Sequence, residues 1–558
     1  MSGQAAIEED LTTALGSVFA DLDDDRLLGP APMVTAAKPE APDSAAADDT
    51  PGYDEGKYLR VYPDVAMAVR AGDYPSGRQH YLRFGRDERR LDKLEYRHGW
   101  PVADSPKFPT FGVDAVFWCA SGRALVIGWI DDTDVTLRSL GLMLHETLLG
   151  ATDAIARCRR EDAERAVGAS EGRLLGFWTM FECRTDVRSS DIRIVLMTQT
   201  EQRSAAAAVQ SVSDERLREI AFEYLAHASY WGNAQVEGFD QLEGGLGHTL
   251  IAANDAISQR FVAGAFCRRF GPQRSRFAAS IVVCLYGKME YMFLQAALFT
   301  TGSEWQDYEF VYVTNSPELA ERMFKEAALI TQIYGLSITL VILPGNAGFG
   351  AANNAGVAHA QSDRIMIVNP DVFPREHDWA VRHKHLVEHL PEDQTRIFGV
   401  PLFYDDGSLM HGGMFFELDE GLSIAPTGIK RRELVRVEHY GKGAPPGTER
   451  FLRSRPVPAV TGAFLSIARG WYESLGGFSP DFVFGHYEDA DLCLRSLSSG
   501  SPVWMHNIGF WHMEGKGSTR RTSHEGGSLV NRWHFTRSWA DLIRDDLLGP
   551  NPARLSSA

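Results

Sequence analysis

The chain has 558 residues and a mass of 61.9 kDa, too long for one compact core and enough for about three to four structural units. Its 56 Lys+Arg against 74 Asp+Glu leave a net charge of −18, which argues against a protein that mainly grips nucleic acid, because phosphate binding needs clustered positive charge. Hydrophobic residues at 44% and charged residues at 23% exclude wholesale disorder.

Residues 1–50 hold eleven acids against Arg26 and Lys38, so −9 of the charge sits there. That composition cannot bury enough apolar surface to offset its ordering entropy, and a disordered acidic tail is expected over 1–52, with at most a short helix near 11–19. The acidic start is not a secretory signal. No apolar run reaches the ~18 residues of a spanning helix. The six cysteines are scattered, with no C-x-x-C spacing, as expected of reduced thiols in a cytoplasmic protein.

A small helical module is expected over 53–100. Pro63 can open a helix that Gly72 closes, Ser76 with Gln79 has the form of a capping box, and Gly85 ends the second helix. Its aromatics suit a structural spacer with a mini-core. Over 101–205 short β-like runs (124–129, 137–144, 174–181 and 192–198) alternate with turn-prone stretches, which predicts a β-rich, sandwich-like accessory domain. Helical periodicity returns over 206–272, read as a connector. Over 273–545 strands and helices alternate: strands 277–284, 310–313, 337–343 and 364–368, with helices between them at up to 298, 317–334 and 351–360. This order predicts an α/β fold with a mostly parallel, doubly wound sheet that binds ligands at the carboxyl ends of its strands. Residues 546–558 read as a C-terminal tail.

Three stretches of this last region carry chemistry. Strand 364–368 runs into Asn369-Pro370-Asp371-Val372, which puts a carboxylate where such sheets bind ligands and where an oxygen ligand suits Mg²⁺ or Mn²⁺. Asn-Pro and Pro-Asp also make ordinary turns. The preceding loop, Gly345-Asn346-Ala347-Gly348-Phe349-Gly350-Ala351-Ala352-Asn353-Asn354, has Asn353 where a dinucleotide fingerprint needs its third glycine; it is read as a Gly-rich loop entering a helix, able to approach a polar ligand closely. In the stretch 460–495, Glu488, Asp489 and Asp491 precede Arg495; Asp491 and Arg495 are i,i+4 neighbours, and the two leading acids favour a helix start. Beyond it, His512 precedes Gly515-Lys516-Gly517-Ser518, a loop that could wrap phosphate with a lysine charge.

In this order and spacing, the segments of 277–520 resemble the family 2 glycosyltransferases of the GT-A fold, nearest the rhamnosyltransferase-like subgroup, where an N-x-G-F-G-x-A-N-N-x-G loop precedes an N-P-D-V strand end. The Tyr-Pro-Asp-Val and His-Tyr-x-x-Phe-Gly wording upstream resembles a short module found beside bacterial glycosyltransferase domains. The resemblance implies an inverting transfer of sugar from a nucleotide-diphosphate donor to a hydroxyl of a glycan, lipid-linked or protein acceptor in bacterial glycan or polysaccharide synthesis, assisted by a divalent cation. It places Asp371 and His512 at the metal or diphosphate, Asp489 as catalytic base supported by Glu488, and Asn346, Gly350 and Asn353 in the donor loop. Tyr286 falls near the nucleotide base and Lys516 near the diphosphate. A lipid-linked acceptor would bring a cytoplasmic enzyme to the inner face of the cell membrane. The sequence departs from the family where an acid usually follows the second strand: Val313-Thr314-Asn315-Ser316 has none, so Asn315 substitutes or the donor is bound differently. Asn369 at the first metal position removes a charge. Two other readings remain open: a nucleotidyltransferase on a similar sheet, and a non-catalytic carbohydrate-binding or scaffold protein.

Overall fold

The structure, a computed structural model, describes residues 55–61, 65, 69, 74–82, 103–105, 108–132, 136–144, 147–168, 173–183, 192–198, 202–207, 209–228, 234–425, 428–517 and 521–548. The tail expected over 1–52 and residues 549–558 lie outside the described residues, as does most of the helix expected to open at Pro63.

In the N-terminal module, helix α1 (Glu55–Val61) meets the short helix α2 (Gly77–His80). Ser76 caps α2 by accepting from the Gln79 N–H at 3.2 Å, and Glu55 accepts from the Gly77 and Arg78 N–H groups at 2.7 and 2.8 Å. Tyr58 is buried between His80 and Tyr81, the expected aromatic mini-core.

The accessory region is two facing sheets. One has six strands: β1 (Ala103–Ser105), β2 (Phe108–Trp118), β3 (Arg123–Ile130), β6 (Ala156–Cys158), β7 (Gly176–Glu182) and β10 (Val209–Ser211). The other has four: β4 (Ser139–Leu144), β5 (Thr147–Thr152), β8 (Ile192–Met197) and β9 (Gln202–Ala206). From Ala124 to Ile130 strand β3 is apolar because both of its faces are covered. Ala124, Val126 and Ile130 face the second sheet, while Leu125 and Ile127 pack on helices α4 (Asp214–Ala228), α5 (Ala234–Glu243) and α6 (Leu246–Ala263). Trp178, fully buried on β7, donates its indole N–H to Gln241 of α5 at 2.8 Å. The same core continues into Leu434, Val483, Phe484, Val530 and Trp533, so the connector is glued to both neighbours.

The third region is built on a nine-stranded sheet. Strands β12 (Ala279–Leu285), β13 (Tyr308–Thr314), β14 (Ser337–Ile342) and β15 (Arg364–Val368) are parallel, in the spatial order β14-β13-β12-β15. All are buried at every position because helices α7 (Tyr291–Phe299), α8 (Ala320–Tyr334) and α9 (Phe349–His359) cover the sheet. The expectation of a mostly parallel sheet needs correction. β11 (Phe266–Phe270) and β23 (Phe464–Ala468) flank this core antiparallel, and β17 (Ile397–Gly399), β24 (Val503–Met505) and β22 (Arg455–Val457) extend it, so four of the eight neighbouring pairs are antiparallel. A small sheet adds β16 (Val372–Pro374), β18 (Leu402–Phe403), β19 (Leu409–His411) and β25 (Phe510–His512), and a long hairpin pairs β20 (Met414–Ala425) with β21 (Gly428–His439). Helices α10 (Trp379–His389) and α11 (Glu488–Ser498) precede α12 (Thr522–Leu542), which lies across α4 and β21. Gly526 of α12 sits against the Phe222 carbonyl of α4, an approach that any side chain there would block.

Candidate active site

Strand order reverses at β12, with β13 on one side and β15 on the other, and the chain ends of such neighbours diverge to leave a crevice. A cleft of about 1550 Å³ opens there, lined by Cys284, Tyr286 and Asn315 from the strand ends and by Asn369–Asp371 beyond β15. Phe484–Asp489, His512, Gly515 and Gly517 line it as well.

Asp371 is drawn into place by the backbone. The Asn369 N–H donates to the Ala463 carbonyl at 2.9 Å, the Val372 N–H closes a turn onto the Asn369 carbonyl, and the Met513 N–H donates to the Asp371 carbonyl at 3.0 Å. Antiparallel pairing of Val372 with His512 then sets the His512 Nε2 3.5 Å from Asp371 Oδ1. The other carboxylate oxygen accepts the Gly517 N–H at 3.0 Å. His512 Nδ1 is buried without a hydrogen-bond partner, and a Cβ on Gly517 would stand 2.8 Å from Asp371 Oδ1. Among the described residues no group of three or more His, Cys, Asp or Glu side chains converges as a metal cage. The pair fits a hard divalent cation that keeps few protein ligands and fills its sphere from diphosphate and water.

Asp489 and Glu488 open helix α11, and their environments differ. Asp489 Oδ2 accepts the Gly462 N–H and Oδ1 the Ala490 N–H, each at 2.8 Å, which orients the carboxylate and leaves a lone pair on each oxygen. Glu488 is 5% exposed with Oε2 unpartnered, and burial, then Asp489, then Asp491 push its carboxyl well above the ordinary range. The two carboxyls are thus held differently: burial disfavours the charged form of Glu488, while Asp489 is oriented by two backbone N–H groups at the cleft. Asp491 pairs with Arg495 at 2.7 Å and accepts the Trp539 indole N–H, the i,i+4 bridge legible in the spacing.

The approach to α11 is strained. Phe484, His486 and Tyr487 have φ of 55°, 82° and 75°; among the described non-glycine residues, Glu304 alone joins them in this region. Each costs on the order of 1–3 kcal/mol, a cost that folds sustain mainly at functional sites.

On the opposite side, Tyr286 contacts the His524 ring at 5.6 Å and lies under Arg521, and Asn346 hydrogen-bonds its phenol. Asn315 reaches the cleft edge with its amide committed: Oδ1 accepts the Ala347 N–H at 3.0 Å, and Nδ2 donates to the Gly348 carbonyl and to Cys284 Sγ. It ties the Gly-rich loop to the strand ends. Gly350, Asn353 and Lys516 do not line the cleft. Gly350 packs on Phe478; Asn353 is fully buried and donates back to the Phe349 carbonyl at 2.9 Å; Lys516 is exposed, its carbonyl accepting from Lys288 Nζ at 3.3 Å.

Other wall residues carried no signal in the sequence. Helix α4 presents Arg216, Glu219, Ile220, Glu223 and His227 along one face of the cleft, and α12 presents Arg521, His524, Glu525 and Arg532. Arg218, buried with its pKa lowered by burial to about 10, stacks 4.8 Å over the Phe484 ring and donates to the Asn346 carbonyl at 2.8 Å. Only its spacing from the other polar residues of α4 would have set it apart. His439, its basicity lowered by burial, hydrogen-bonds buried His411 at 3.0 Å beside the cleft.

No family model matches the chain. A protein of Sinorhizobium fredii (strain NBRC 101917 / NGR234), "Uncharacterized protein y4gI", is 28% identical over 167 residues, 30% of this chain; the match spans 17% of that relative's length. Among solved structures, GalNAc-T7 with UDP, GalNAc and Mn²⁺ overlaps 51% of this chain and 52% of its own at 14% identity and a TM-score of 0.34. The mannosyltransferase PcManGT of Pyrobaculum calidifontis, in complex with GDP-Man and Mn²⁺, overlaps 59% of this chain and 76% of its own at 13% identity and a TM-score of 0.30. S. aureus TarS 1-349 overlaps 50% of this chain and 77% of its own at 10% identity and a TM-score of 0.28.

Proposed function

We propose that the chain is a glycosyltransferase that moves a sugar from a nucleotide-diphosphate donor to an acceptor hydroxyl with inversion at the anomeric carbon. The observation that carries this reading is that Asp371 beside His512, and the backbone-oriented Asp489, line one cleft at the carboxyl ends of the sheet. Asp489 takes the acceptor proton as the acceptor oxygen bonds to the sugar carbon, and the sugar–phosphate bond breaks with its electrons leaving on the diphosphate. Asp371 and His512 would hold a divalent cation, which would supply positive charge to offset the negative charge gathering on the leaving diphosphate. Tyr286 offers a ring to the nucleotide base, and the committed amide of Asn315 leaves nucleoside recognition to its neighbours.

One donor-sided displacement needs one base, and buried Glu488 leaves that role to Asp489, whose carboxylate is oriented by backbone N–H groups at the cleft. The acceptor is a glycan, a lipid-linked saccharide or a protein, in bacterial glycan synthesis; a lipid-linked acceptor would bring the enzyme to the inner membrane face. The reading assigns catalysis to 273–545, with 53–100 and 101–205 as accessory units and 206–272 as the connector that completes the wall. Turnover of a panel of nucleotide sugars with Mn²⁺ tests it. Asp489→Asn should lower kcat by about 10²–10⁴-fold in folded protein. Wild-type turnover in Asp489→Asn removes the base assignment; pyrophosphate release from a nucleoside triphosphate and a sugar phosphate would replace the reaction by nucleotidyl transfer.

A further inference from the structure

The strained segment before Asp489 is held from outside the nucleotide-binding sheet. Asn531, in the middle of α12 and fully buried, spends its whole amide on it. Its Oδ1 accepts the Val483 N–H at 2.6 Å, and its Nδ2 donates to the carbonyls of Val483, Gly485 and His486 at 2.9, 2.7 and 3.0 Å. Those carbonyls converge on one point because the left-handed residues turn them inward. Gly527, one turn before Asn531, lies 3.1 Å from the Phe484 ring by the place its Cβ would take, so the helix can approach closely enough for the amide to reach. The far end of the same segment touches the donor loop: the Phe349 N–H donates to the Phe484 carbonyl, and a Cβ on Gly348 would stand 3.1 Å from Phe484 Cα. Asp489 begins two residues beyond Tyr487, the left-handed cap of α11.

We infer that Asn531 is a positioning residue for the reaction: its amide fixes the 483–487 turn and thereby the place of Asp489 relative to the donor loop. The inference rests on the glycosyltransferase reading above. No side chain other than an amide offers, from one planar group, an acceptor for the Val483 N–H and two N–H donors that the three carbonyls share. Without it the turn would relax toward right-handed backbone, and the Asp489 carboxylate would move with it.

The test compares full-length wild type with Asn531→Ala and Asn531→Asp, at a temperature where melting curves show each variant folded. Asn531→Asp keeps the shape and the acceptor and loses the donors; it stands in should Asn531→Ala not fold. The expected result is a kcat lower by about 10²-fold, the loss typical of an angstrom-scale misplacement, with the donor KM within about twofold of wild type. Hydrogen exchange of the 483–489 amides should quicken while the parallel strands keep their protection. A folded variant with wild-type kcat overturns the inference. So does a loss carried equally by kcat and KM with unchanged exchange at 483–489, which marks a general structural role. If the wild type moves no sugar from any nucleotide sugar, the glycosyltransferase reading fails, and unchanged exchange at 483–489 in the variants separately overturns the positioning role.

Discussion

Replacing Gly517 by alanine adds one carbon at the tightest point of the proposed metal site. The new Cβ would stand 2.8 Å from Cγ and Oδ1 of Asp371 and 3.0 Å from Pro370 Cγ, closer than real contacts allow. Asp371 cannot withdraw, because the Asn369 N–H, the Val372 N–H and the Met513 N–H fix its stretch of chain. The loop from Glu514 to Lys516 is exposed and must lift instead, taking the Gly517 N–H away from Asp371 Oδ2. A hydrogen bond to a charged group is worth about 1.5–3 kcal/mol. At 1.4 kcal/mol per decade this is about 10- to 150-fold, in line with the 10–100-fold typical of losing the partner that orients a metal ligand. Calorimetric titration of Mn²⁺ in the presence of a nucleoside diphosphate reads it directly: Gly517→Ala should bind Mn²⁺ about 10–100-fold more weakly while its melting temperature stays near wild type. A dissociation constant within twofold of wild type would falsify the idea that Gly517 seats Asp371 for the cation.

Three further substitutions probe the rest of the molecule. Gly526→Ala puts a methyl group against the Phe222 carbonyl where α12 crosses α4, and overpacking should cost about 1–3 kcal/mol in urea unfolding; an unchanged midpoint would show that the helices separate freely. Trp178→Phe removes the indole donor to buried Gln241, a bond worth about 0.5–1.5 kcal/mol besides the lost volume, and an unchanged midpoint in the same assay would deny the bond its weight. Glu488 is raised above its ordinary 4.5, so between that value and its folded value the native state binds more protons than the unfolded one, and wild-type stability falls as pH rises through this window. Glu488→Gln carries no such proton, so its melting temperature should gain on wild type as pH rises above about 4.5; parallel curves would sink the raised Glu488 carboxyl.

The sequence alone determined the elements whose signal is local. Strand 364–368 was legible to the residue, and strands 279–285, 308–314 and 337–342 nearly so, because a parallel strand buried on both faces is rich in apolar residues with no polar alternation. The Asp491–Arg495 bridge and the acids at the head of α11 follow from helix spacing alone. Only the tertiary structure decided what depends on partners far along the chain. The antiparallel flanks of the sheet come from strands such as β23, about a hundred residues beyond the β15 it pairs with, and no local pattern encodes that pairing. Gly350 and Asn353 carry the look of a ligand loop, yet helix α9 turns them inward to pack, since a 3.6-residue period sends neighbouring residues to different faces. The left-handed turn at 484–487 has no asparagine and one glycine to announce it; Asn531, 48 residues from Val483, imposes it. The charge balance follows the same rule: −18 was countable from the composition, but the burial of Glu488 and the two backbone N–H groups that hold Asp489 come only from the tertiary structure.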